Sequence, residues 1–182
     1  MQEIYEALVS RRSELTGYLA TQEEVVQIGK RLSRPEYAIV LRIYRELPVC
    51  GMIVRFIVDA NKLAGPPVDE AVYEYDPDCD HEFDWATPKQ IIDEIEDSLA
   101  GPAAFAAGFV PLGMCTRGGD GYFLRLLSPR KAPVHLFQVY YDWYDADRGV
   151  LVMPDAVSLV CDRVDQLLRV AKFEKGLPRT IG

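Results

Sequence analysis

Ala107 to Leu127 reads AGFVPLGMCTRGGDGYFLRLL, and the fold turns on how this stretch is understood. Phe109, Val110 and Leu112 form one apolar arm, and Tyr122, Phe123, Leu124 and Leu126 form another. Aliphatic and aromatic runs of this kind suit a pleated, half-buried surface. Gly118, Gly119, Asp120 and Gly121 lie between the arms, and such residues accept positive φ or turn geometry cheaply. The stretch therefore predicts two antiparallel strands around a glycine-rich corner. The simplest role for the Asp120 carboxylate at that corner is hydrogen bonding to N–H groups of its own loop.

Outward from this hairpin, the flanking periods divide the chain into a helical front and a sheet-containing body. Ile4, Leu8, Leu15, Tyr18 and Leu19 predict an amphipathic helix over residues 3–19. Thr21-Gln-Glu-Glu24 is a capping box before a second helix with Val25, Ile28 and Leu32 inward. Ser33-Arg-Pro-Glu36 repeats that pattern and opens a third helix from Pro35 to Glu46. The period then switches to two across Gly51 to Asp59, a strand. Ala71 to Asp76 reads as a short strand, and residues 76–84 as an acidic loop.

Thr87, Pro88 and Gln90 start a helix over about 88–99, with Ile91, Ile92, Ile95 and Leu99 inward and Asp93, Glu94, Glu96 and Asp97 outward. Gly101-Pro102 ends that helix. Val134 to Tyr141 and Val157 to Cys161 are further strands, with a short edge piece at Val150 to Met153. Asp162 then caps a closing helix carrying Val164, Leu167 and Leu168. The expected fold class is α+β, a single domain over 1–175 with an antiparallel or mixed twisted sheet. Its helical front is 1–48 and its body 49–175, with a flexible tail at 176–182.

Charge is the second signal. Residues 69–97 hold 12 acidic residues and only Lys89, whereas 1–68 hold 9 basic and 8 acidic and 98–182 hold 10 basic and 8 acidic. The acidic excess of this −8 chain thus lies in one 29-residue segment. That segment repels nucleic acid and anionic membranes and attracts a basic protein partner, or else serves as a solvated face. No apolar run approaches the roughly 20 residues of a membrane span. The first residues lack the apolar core of a secretory signal, and Cys50, Cys79, Cys115 and Cys161 are too scattered for a zinc motif. Free thiols in a reducing cytoplasm are the matching expectation.

Asp76, Asp78, Asp80, Glu82 and Asp84 place acids at alternate positions as a calcium loop does. However, His81 stands where the sharp turn needs Gly, and Thr87 where a bidentate Glu is required. No phosphate-binding loop is present, and neither His81, in the acidic loop, nor His135, within an apolar strand, is placed as a catalytic base. Asp120 and Asp142 form a conceivable acid–base pair, so a small hydrolase stands as a remote alternative. No metal or organic cofactor is expected.

The order Trp85-x-Thr87-Pro88, then Phe109-Val-Pro111-Leu-Gly113, then Gly119-Asp120-Gly-Tyr122-Phe-Leu124, then the strand at Val134 and the helix at Val164, resembles the SUKH superfamily. That superfamily includes the yeast cell-wall assembly regulator and bacterial immunity proteins that neutralise polymorphic toxins. The resemblance runs from about Trp85 to Leu168, nearly half the chain. It implies a non-catalytic protein-binding module, with an intracellular regulator or scaffold as the alternative. On that reading Asp76, Asp78, Asp80, Glu82, Asp84, Asp93, Glu94 and Asp97 face a basic toxin domain.

Overall fold

The computed structural model describes residues 2–58, 74–75, 80–116, 118, 120–126, 134–152 and 155–176. Three short helices come first. α1 (Gln2–Ser10) buries Ile4, Ala7 and Leu8, one face at helical spacing. It stops well short of residue 19. The Ser10 hydroxyl bonds back to the Ala7 carbonyl, and Arg11 turns away to donate to the Leu168 and Ala171 carbonyls. α2 (Gln22–Arg31) has the expected capping box, with Thr21 and Glu24 bonded reciprocally. α3 (Ala38–Glu46) does not begin at a Ser33 cap. A 3-10 turn over Pro35–Tyr37 precedes it, and Arg34, without a side-chain cap, occupies the position expected for a serine.

The body is a sheet of eight strands in the order β10-β1-β3-β4-β5-β6-β9-β2. These are β1 (Met52–Ile57), β2 (Glu74–Tyr75), β3 (Asp80–Trp85), β4 (Phe109–Cys115), β5 (Gly121–Arg125), β6 (His135–Val139), β9 (Val157–Cys161) and β10 (Lys172–Lys175). Every adjacent pair is antiparallel except β2 on β9, which is parallel. α4 (Pro88–Glu96) and α5 (Gly101–Ala106) connect β3 to β4, and α6 (Val164–Val170) follows β9. A small separate hairpin pairs β7 (Tyr144–Asp145) with β8 (Val150–Leu151). The fold is thus α+β, as the patterning predicted. No helix among the described residues is long and apolar enough to cross a membrane.

Alternation explains why the central strands read as nearly continuous apolar runs. Val110, Tyr122, Leu124 and Leu136 join the large core formed with the helices. Their neighbours Phe109, Phe123, Phe137 and Val139 join a smaller cluster with Val157, Leu159, Ala104 and the hairpin residue Leu151. Successive strand residues point to opposite faces, so a strand covered on both sides must be apolar at every position. The two clusters are the two faces of one sheet.

β1 and β3 are different. Met52, Val54 and Phe56 are buried while Arg55 and Ile57 are exposed, and on the matching face of β3 Asp80 is exposed, Asp84 half-buried and Glu82 buried.

The Ala107–Leu127 stretch forms the central β4–β5 pair, closed by the Cys115 N–H donating to the Asp120 carbonyl. Pro111 lacks an N–H and sits where the ladder shifts register before Gly113, the place in a central strand where proline is tolerated. The shift turns Gly113 toward Phe83. A Cβ there would stand 2.3 Å from the Asp84 carbonyl oxygen and 2.4 Å from the Phe83 ring. Gly119 lies outside the described residues, as do Asp76 and Asp78.

Three further expectations are corrected. Gly101-Pro102 opens α5 rather than ending a helical region, because proline fits the first turn. Asp162 does not cap α6; Arg163 holds that position and forms a paired contact with Asp165. The closing helix is followed by β10, which adds an edge strand to β1 with Lys172 and Lys175 on its ends. Charged residues of this kind blunt an open sheet edge.

Candidate partner-binding surface

Residues Asp80 to Trp85 form a strand, not a loop. The acid–apolar alternation that imitates calcium ligands is the period of two. His81, Phe83 and Trp85 are buried on the core side, whereas Glu82 and Asp84 lie on the other. His81 is therefore no solvated residue. Its ring stacks on Phe56 at 5.1 Å, and Nδ1 lies 3.0 Å from the Tyr122 hydroxyl.

Glu82 is also buried. It pairs with Arg55 and accepts a hydrogen bond from the Thr116 hydroxyl, while Arg55 reaches Glu174 at 3.5 Å. The Glu82 carboxylate beside the Arg55 guanidinium holds the latter above its usual range. A carboxylate so engaged ties β3 to β1 and to Thr116, the residue after β4, and is used inside the fold.

Helix α4 sorts its acids as well. Thr87 and Gln90 complete the expected capping box with Pro88 in the first turn. Ile91 and Ile95 are buried, as predicted, but Glu94 is only 7% exposed and Leu99 is 60% exposed. The helix ends at Glu96, so Leu99 lies past the last turn and no longer follows the helical phase. Glu94 instead points at the body, where its Oε1 accepts from the Tyr141 hydroxyl at 2.5 Å and the Ser98 hydroxyl at 2.8 Å. Ser98 in turn accepts the Gly101 N–H. Tyr141 crosses above Gly121, where a Cβ would stand 2.8 Å from its hydroxyl. Burial, followed by the adjacent Glu94 charge, pushes the Tyr141 phenol far above its ordinary range, so it acts as a donor at physiological pH.

Asp120 reaches out of its own loop, and its Oδ1 accepts the Tyr141 backbone N–H at 3.4 Å. Its neighbour in the acid–base alternative, Asp142, is exposed beyond that bond. The sequence pattern contained no cue for the Glu94–Tyr141 contact, since the partners are 47 residues apart.

The acids left on the surface are Asp80 at the start of β3 and Asp93, Glu96 and Asp97 along α4. Asp93 pairs with Lys89 at 2.5 Å and Glu96 with Arg31 at 2.6 Å, both solvent-facing contacts of small energetic weight. Among the described residues, no group of three His, Cys, Asp or Glu side chains is arranged to hold a metal ion. Among the described residues, these exposed carboxylates make a negatively charged face on β3 and α4. Compared with family models, with curated proteins and with solved structures, the chain finds no match in any of the three.

Proposed function

We propose that the chain is a non-catalytic protein-binding module that engages a basic partner, most simply a toxin domain that it neutralises, as the resemblance to SUKH immunity proteins implies. The observation that carries this reading is the confinement of the acidic excess to residues 69–97, part of which stands exposed on β3 and α4. Glu82 and Glu94 drop out of the contacting set because the fold uses their carboxylates internally. The exposed contributors are Asp80, Asp93 and Asp97. Asp120 and Asp142 lend little to a hydrolase, since one carboxylate is engaged by a backbone N–H and the other stands exposed.

Exposed charges act mainly on encounter, so association should be fast at low salt and slow steeply as the screening length falls to about 8 Å at physiological ionic strength. The test is stopped-flow association with the toxin-like product of an adjacent gene, over a salt series. Asp80→Asn, Asp93→Asn and Asp97→Asn together should lower the rate and flatten its salt dependence without moving the thermal midpoint. Equal rates at every salt concentration would reject the acidic surface as the docking face.

A further inference from the structure

The β7–β8 hairpin presents a feature that charge alone does not explain. Trp143, Val150 and Val152 are 49%, 47% and 40% exposed. They are neighbours, because the Val152 N–H donates to the Trp143 carbonyl at 2.9 Å and the next pairs are Tyr144 with Leu151 and Asp145 with Val150. Alternation therefore sends Tyr144 and Leu151 to one side, where Leu151 packs on the smaller core. Val150 and Val152 lie on the other side, and Trp143, the last residue of the 3-10 turn Tyr141–Trp143, is exposed opposite Val152. Isolated exposed apolar residues are ordinary, but an aromatic flanked by two aliphatics is a contiguous patch.

Among the described residues next to this patch in the chain, the charge is one-sided. Asp142, Asp147 and Asp155 are exposed, and Asp145 is occupied by its own turn and by Arg148, the single basic residue nearby in the chain. The hairpin is also fastened beside the acidic helix, since Tyr141, two residues before Trp143, donates to Glu94 of α4. Trp is the residue type most enriched among interface residues that dominate binding energy, and such anchors sit inside a rim of polar groups. An acidic rim complements a basic one on the other side. The same rim opposes an anionic lipid surface, which an interfacial Trp would otherwise suit.

The geometry points to Trp143, Val150 and Val152 as the apolar anchor of a docking surface whose occupant is a polypeptide segment with an apolar side chain flanked by Lys or Arg. This rests on the protein-binding reading above and deepens it by naming where affinity, rather than steering, resides. Trp143 itself supplies the readout, because the other tryptophan, Trp85, is only 1% exposed and shielded from acrylamide quenching.

The probes are three short synthetic peptides: a Leu anchor flanked by Arg and Lys, the same anchor flanked by Glu, and the Arg/Lys frame with Ser in place of Leu. The first should protect Trp143 from acrylamide, and the other two should not. In a label-based assay, Val152→Ser and Trp143→Ala should each weaken binding of the first peptide roughly tenfold, the scale of an anchor residue, with unchanged thermal midpoints. Equal protection by the Glu-flanked peptide, or no protection by any peptide at millimolar concentration, would overturn the proposal. So would a dimer of this chain that Trp143→Ala dissociates, since the patch would then be a self-interface. The triple Asn variant at positions 80, 93 and 97 separates the two readings. Intact Trp143 protection with unchanged association rates removes the β3–α4 surface alone, and charge-steered binding that leaves Trp143 quenchable removes the hairpin alone.

Discussion

Replacing Gly113 with alanine tests the pairing on which the whole sheet depends. The new Cβ would lie 2.3 Å from the Asp84 carbonyl oxygen and 2.4 Å from the Phe83 Cδ2, where ordinary contact begins at 3.4 Å. The first neighbour is backbone and cannot rotate aside, so β3 and β4 must separate by about 1 Å at this point. On either side of it, the Ala86 N–H donates to the Leu112 carbonyl at 2.9 Å and the Thr116 N–H to the Glu82 carbonyl at 3.3 Å. Overpacking of this kind costs about 1–3 kcal/mol, and a strained hydrogen bond adds about 1 kcal/mol. A loss of about 3 kcal/mol follows, or 6–12 °C in thermal midpoint at ~2–4 °C per kcal/mol for a chain of this size. Urea denaturation with linear extrapolation measures it, provided the slope is unchanged. Gly29→Ala is the control. It lies inside α2, where a Cβ meets only the Leu41 Cδ1 at 3.8 Å, so helix propensity should stabilise by about 0.5–1 kcal/mol. A loss at Gly113 below about 1 kcal/mol would mean that the β3–β4 register is wrong.

Two further outcomes follow from buried groups. Tyr141→Phe removes one of the two hydroxyl donors to the buried Glu94 carboxylate and should cost about 2 kcal/mol by urea unfolding, the scale of a hydrogen bond to a charged acceptor. An unchanged midpoint would show that Glu94 is solvated by other means. Burial pushes the Cys50 and Cys161 thiols up to about 12, so among the three described cysteines both should resist alkylation of the folded chain while half-buried Cys115 reacts before them, as read by peptide mapping. Because the folded chain holds these protons more tightly than the unfolded one, their contribution is complete below the ordinary thiol value of about 8.5 and is lost as pH rises toward 12. Stability that stays flat from pH 8 to 11 would contradict that burial.

The features legible in the sequence were those written in local chemistry. Capping boxes at Thr21 and Thr87 form as read, because four consecutive residues contain both halves of each reciprocal bond. The β4 and β5 arms were visible as apolar runs around a glycine corner. The errors arose where distant residues intervene. Leu15, Tyr18 and Leu19 carry helical spacing, yet the chain leaves the helix at Ser10; Tyr18 then pairs with Cys50 in an isolated bridge, and Arg11 caps carbonyls at the end of α6. β10 reads as Lys-Phe-Glu-Lys and offers no apolar run. Edge strands need one exposed flank, and the charges that protect it erase the pattern that reveals a strand.

The acidic segment shows the same division more sharply. Its composition is a sum over residues, but its function depends on where each carboxylate points, and two different periods decide that. Along β3 the period of two puts Glu82 on the face away from the large core, buried within reach of Arg55 and Thr116, so a formal charge becomes a tie from β3 to β1 and to the residue that follows β4. Along α4 the helical period places Glu94 one residue before buried Ile95 and toward Tyr141, leaving Asp93 and Asp97 outside. A buried carboxylate needs donors whatever its partner surface requires, so Glu82 and Glu94 report on folding when mutated and Asp80, Asp93 and Asp97 on association. Mutating all of them together would confound the two. Mutating the exposed three, with Tyr141→Phe as the internal comparison, separates charge that recognises from charge that holds the chain together.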